Sequence, residues 1–148
     1  MDADDFYLRV AGALSGCQLV EQGLKLYITE ALELVQKCVD GKLSFRMSGG
    51  DYADASLERL IQIFHKLSSN PTLVTELERF KKERNFLSHK GIAHCLDPDG
   101  ELDIGAVAEF ETRLAAIEPE AQRLCQAIHE EANKFRGYLW FDDLPTAG

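Results

Sequence analysis

The stretch Phe80 to Ile92, "FKKERNFLSHKGI", places Arg84, Asn85 and His89 close together and surrounds them with Lys81, Lys82 and Lys90. A guanidinium forks onto phosphate oxygens, an imidazole titrates near neutrality and can move a proton, and an amide can orient either partner. These residue types together can therefore handle phosphate. The window from Arg79 to Lys90 carries a net charge of about +4, which leaves about −13 for the rest of a chain whose total is −9. Such an island is one local place of positive potential in an acidic protein. The same composition also suits an exposed helix face, because Lys and Arg near a helix carboxyl end are favoured by its dipole. Asn85 and His89 stand four apart and share a helical face. Arg84 and His89 stand five apart, about 140° on an ideal helix, so a joint site needs the long arginine to wrap round or a second subunit to complete the cleft.

The elements that must position these residues read as helices. From Asp5 to Val39 apolar residues recur at three- and four-residue steps, which predicts a long first helix. Unbroken, it would reach roughly 50 Å, so a bend or break is expected at Gly12, Ser15 or Gly16, with a second segment starting near Gly16. Residues Asp40 to Tyr52 are rich in Gly and Asp and read as a loop, with disorder the commoner explanation of its length and a mobile functional loop the other. A second helix is expected from Ala53 to Ser68. Asn70 and Pro71 form a helix start signal for the third, which runs through the basic window and stops near Gly91. Ile92 to Ile104 could close a small hairpin around the turn "DPDG". Asp103 caps a fourth helix from Ile104, which Pro119 should kink or divide. The dense apolar cluster Tyr138, Leu139, Trp140 and Phe141 is expected to fold back on the bundle. The resulting fold class is all-α, one domain over residues 1–148: an antiparallel bundle of four main helices, the first and last long and kinked or split.

Composition limits the function classes. At 148 residues and 45% hydrophobic, the chain supplies one ordinary core. A net charge of −9 argues against a surface that attracts nucleic acid or membrane over its whole extent. No apolar run approaches a membrane span, and the opening "MDADDFYLRV" lacks the order of a signal peptide, so a cytoplasmic protein without membrane contact is expected. Cys17, Cys38, Cys95 and Cys125 are widely spaced, without a CxxC pair, and read as free thiols.

An arginine, a polar residue directly after it and a histidine shortly beyond, late in a helix of a small α-bundle, resemble the motif of the HEPN (higher eukaryote and prokaryote nucleotide-binding) superfamily. The resemblance places Arg84, Asn85 and His89 in that motif and extends over most of the chain as a bundle. It implies a homodimer whose paired motifs line one cleft and a metal-independent endoribonuclease without a cofactor, often a toxin or phage-defence component with an antitoxin or regulatory protein partner. In that chemistry Arg84 binds the scissile phosphate and His89 takes or gives a proton as the RNA 2′-hydroxyl attacks. Asn85 orients the histidine or the substrate, and Lys81, Lys82 and Lys90 hold further phosphates. The toxin subgroup regulated by a tyrosine two residues after the histidine has Gly91 here, so that regulation is not implied. Arg59 with His65 and Arg123 with His129 also fit the spacing but lack the following Asn or Asp, and both histidines read as surface or boundary residues. The alternative function is a non-catalytic HEPN-like module that binds a nucleotide or a protein partner.

Other chemistries fail on their residue sets. With Asp97 at position one of a calcium loop, Leu102 would take the glycine position and Ala108 the bidentate glutamate position. Ser88 and His89 are adjacent and point about 100° apart on a helix, which excludes a nucleophile and base pair. His89, His94 and Cys95 provide no fourth ligand for a metal. Glu21, Glu30 and Glu33 read as a solvated face of the first helix.

Overall fold

The computed structural model of the chain covers residues 3–91, 93 and 95–141, and at Lys90 and Gly91 the backbone alone. Ile92, His94 and residues 142–148 lie outside the described residues. Among the described residues the fold is all-α, with four α-helices: α1 (Ala3–Val39), α2 (Leu57–Leu67), α3 (Pro71–Phe86) and α4 (Ile104–Trp140). Their starts follow from local chemistry. Ser56 accepts a hydrogen bond from the Arg59 amide at the head of α2, later than the Ala53 expected from sequence. Asn70 accepts from the Leu73 amide ahead of Pro71, and Asp103 accepts from the Gly105 and Ala106 amides. Each cap satisfies amides that a helix start leaves without partners.

Neither long helix is split. α1 runs through Gly16 without the expected break, because α4 is equally long and runs beside it. A β-carbon on Gly16 would lie 3.1 Å from that of Ala121, so the glycine serves close approach between helices and not a bend. Arg9 pairs with Glu111, Gly16 packs on Ala121, Glu30 pairs with Arg136, and Lys37 reaches the Tyr138 carbonyl. This ascending order makes α1 and α4 parallel. α3 is antiparallel to α4, as Glu76 with Arg123 and Glu83 with Arg113 show. The antiparallel arrangement expected from sequence thus holds for that pair. The interior is built from Val20, Leu24 and Ile28 of α1, Leu60, Ile61 and Phe64 of α2, Leu77 of α3, and Leu124 and Ile128 of α4, all essentially without solvent contact. Tyr27 stacks edgewise on Phe64 and Phe135 at 4.7 and 5.3 Å.

The Asp40 to Tyr52 segment is ordered where it meets α1. Residues Gly49–Tyr52 form a 3₁₀ turn, the Ser48 amide donates to the Asp51 carboxylate at 3.0 Å, and Tyr52 is buried in the core. Gly49 lies against Thr29 so closely that a β-carbon there would sit 2.8 Å from the Thr29 Cα. Gly49→Ala is accordingly expected to lower stability by about 1–3 kcal/mol, as overpacking does. A urea unfolding midpoint unchanged from wild type would refute the anchor.

Two further expectations shift. Among the described residues the hairpin shows one bridge, between Leu96 and Leu102, around a turn in which Asp97 accepts from the Asp99 and Glu101 amides. Tyr138, Leu139 and Trp140 do not fold back; they form the last turn of α4, and Trp140 and Phe141 are mostly exposed. Helical hydrogen bonding satisfies the backbone there, and Lys37 of α1 caps two of the final carbonyls.

Candidate functional site

The carboxyl end of α3 departs from α-geometry where the sequence motif lies. Residues Leu87–Gly91 form a π-helical turn that continues α3. Leu87, fully buried, anchors the turn, and Ser88 and His89 are left exposed. A π turn holds more residues than an α turn, so His89 comes closer in azimuth to Arg84 than the roughly 140° of an unbroken helix. Asn85, also exposed, shares the outward face with His89. Among the described residues no hydrogen bond joins Arg84, Asn85 and His89 to one another.

Arg84 turns inward, toward α1. Its Nη2 lies 3.5 Å from Glu21 Oε1, with the two side chains 33% and 20% exposed. Its Nε is buried and has no hydrogen-bond partner. The other interhelical arginines differ. Arg113 grips Glu83 through two bonds of 2.8 and 3.1 Å, Arg123 reaches Glu76 of α3 at 2.9 Å, and Arg136 grips Glu30 through two bonds of 2.7 and 2.9 Å. A charge-assisted contact in hydrogen-bonding geometry is near 2.7–2.9 Å. Arg84 therefore holds a loose ion pair and keeps part of its donor fork unused. The nearby Cys17 thiol is pushed up to about 11 by burial, against the opposing charge of Arg84, so it stays protonated and inert.

Elsewhere in the basic island, Lys81 is neutralised within the fold. Lys81 pairs with Glu78 at 2.7 Å and approaches Glu58 of α2 at 3.9 Å, and the hydrogen bond that it donates to Glu78 raises its pKa. Lys82 is exposed, and the Lys90 side chain lies outside the described residues. Arg79 lines a cavity of about 490 Å³ between α3 and α4, with Phe80, Glu83, Arg113, Ile117 and Glu120.

A second polar cluster escaped sequence reasoning. Glu30, expected on a solvated face, is buried with Arg136, and Glu21 is mostly covered; of the three α1 glutamates only Glu33 is exposed. Beyond its bonds to Glu30, Arg136 donates to Asn133 at 2.8 Å, contacts the exposed His129 ring at 2.8 Å and lies 5.5 Å from the Trp140 ring centre. The hydrogen bonds to Glu30 raise the Arg136 pKa. The cluster closes one end of an apolar groove of about 450 Å³ between α1 and α4, along Leu19, Gly23, Leu26 and Ile128. The one local signal was the position of Glu30, three residues beyond Tyr27 on the apolar stripe of α1. Glu21 lies on another side of α1 from this groove, since Leu19 and Glu21 are about 200° apart around the helix.

Among the described residues no group of three His, Cys, Asp or Glu side chains could hold a metal ion, and His94 lies outside them. Nor is any described helix long and apolar enough to cross a membrane. No protein-family model matches the chain, and neither a curated protein nor a solved structure matches it.

Proposed function

We propose that the chain is a metal-independent endoribonuclease of the HEPN type, acting as a homodimer with Arg84, Asn85 and His89 at a shared cleft. The observation that supports this best is the underused donor fork of Arg84 one residue before an exposed Asn85 and one π turn before an exposed His89. A buried donor without a partner costs about 1–3 kcal/mol, and a phosphate oxygen is the acceptor that such a fork suits. His89 lies in solvent, where it can exchange protons with substrate. Because Arg84 turns toward α1 and makes no hydrogen bond with its own His89, the proposal assigns the cleft to two copies: Arg84 of one subunit holds the phosphate and His89 of the other serves the 2′-hydroxyl.

The alternative, a non-catalytic HEPN-like module that binds a nucleotide or a protein partner, is favoured by the pairing of Lys81 and Arg84 with the protein's own glutamates. Incubation with mixed RNA in excess chelator separates the two. Cleavage by the wild type that Arg84→Ala abolishes supports the nuclease. Intact RNA supports the binding module, whereas cleavage that survives in Arg84→Ala comes from another site or a contaminant.

A further inference from the structure

We infer that the cleft between α3 and α4 is a binding site for a small monocarboxylate with a flat apolar body, held through Arg79. The inference goes beyond the proposed nuclease and does not depend on it, since Arg84 and Asn85 stand about 140° and 120° round α3 from Arg79. Two cross-helix ion pairs bracket the cleft. Glu83 meets Arg113 at one end and Glu76 meets Arg123 at the other, two turns apart on α3, about 10 Å. The volume enclosed there is about 490 Å³, within the range of small-ligand pockets. Phe80 and Ile117, 2% and 3% exposed, form its floor, and between the two pairs α4 contributes Ala116, whose short side chain leaves the space open.

Charge selects the ligand. Arg113 donates two hydrogen bonds to Glu83 and Arg123 donates two to Glu120, so both carboxylates of the lining are engaged. Arg79 lines the same cleft, is exposed, and makes no hydrogen bond or ion pair among the described residues. Its guanidinium offers a planar fork of donors, and a carboxylate is the planar acceptor that fits such a fork through two bonds. Glu120 stays ionised at neutral pH: hydrogen bonds from Arg123 hold its carboxyl below the usual range, and the charge of Arg79 acts in the same direction. A second negative charge on the ligand would therefore meet Glu120 and Glu83 without a further cation to balance it. An apolar body lies against Ala116 and the carbon stems of Arg79 and Arg113, and a flat one suits a slot between two packed helices.

Three probes of one shape test this on the full chain by NMR titration: 2-naphthoate, the neutral 2-naphthamide and the dianionic 2-naphthyl phosphate. Naphthoate is expected to shift the amides of α3 and α4 that flank the cleft, with a Kd near 1 mM, about what a dozen heavy atoms reach at ordinary ligand efficiency. Naphthamide should bind about tenfold more weakly, the effect of one charge-assisted contact at a partly exposed site, and the phosphate no more tightly than naphthoate. Arg79→Gln should weaken naphthoate by the same factor of about ten, and Ala116→Leu, which fills the cleft, should abolish its binding. Both positions are exposed, and thermal unfolding verifies that the variants fold. Should either fail, the comparison of naphthoate with naphthamide on the wild type still decides. No shift at the cleft by about 10 mM naphthoate, equal affinity for the amide, tighter binding of the phosphate, or unchanged binding in either folded variant would each overturn the inference. RNA cleavage or its absence leaves these outcomes unaffected, so the site and the nuclease stand or fall separately.

Discussion

Glu30→Ala is expected to destabilise the protein by about 3–5 kcal/mol, the cost of leaving one member of a buried ion pair uncompensated. Arg136 and Glu30 are 7% and 8% exposed, and their two hydrogen bonds tie α1 to the last turns of α4 across 106 positions of sequence. Without Glu30 the guanidinium would keep, among the described residues, Asn133, His129 and the ring of Trp140. For a chain of this length the loss corresponds to a fall of roughly 10 °C in Tm. The double variant Glu30→Leu with Arg136→Met should recover most of it, because a buried pair exchanged for apolar side chains of similar volume is often neutral or better. Urea unfolding of the three proteins decides the matter. A single variant within about 1 kcal/mol of wild type would mean that the pair is solvated and contributes little.

His89→Ala is expected to lower RNA cleavage by about 10²–10⁴-fold, the usual contribution of a positioned acid or base, without a comparable effect on stability because the side chain is exposed. A purely structural role would show the opposite pattern. The arrangement across two subunits makes a sharper prediction. His89→Ala and Arg84→Ala are each inactive alone, yet mixing them and allowing subunits to exchange should restore about a quarter of wild-type activity. Half of the dimers are then mixed, and each carries one intact site of its two. If mixing restores nothing while subunit exchange is demonstrated, each site draws both residues from a single chain, and the proposed cleft is wrong.

The ends of α3 and α4 were readable because capping is local. Asn70 with Pro71, and Asp103 ahead of Ile104, state within four residues how the first amides of a helix are satisfied. The period of the apolar residues was equally direct, and it predicted the all-α class and the long outer helices. The expected break in α1 failed for a physical reason: glycine weakens a helix taken alone, but at Gly16 it admits the close approach of Ala121 from a helix about a hundred positions later. Tyr52 and Gly49 were assigned to a loop on composition, while their contacts with the core and with Thr29 hold that loop in place.

Charge was the least readable property. The sequence places Arg84, Asn85 and His89 at fixed spacing and concentrates basic residues around them, and those facts need no coordinates. It does not say that Glu21 of α1 stands opposite Arg84, that Glu58 of α2 and Glu78 engage Lys81, or that Arg113 of α4 takes Glu83. It also counts Glu30 as one more acid of a solvated face, although Glu30 meets Arg136 in the interior. Helix formation depends on neighbours one turn away, so it is written along the chain. Whether a charge is free, shared or buried depends on atoms that only packing brings within a few ångströms, where the Coulomb energy becomes large enough to matter.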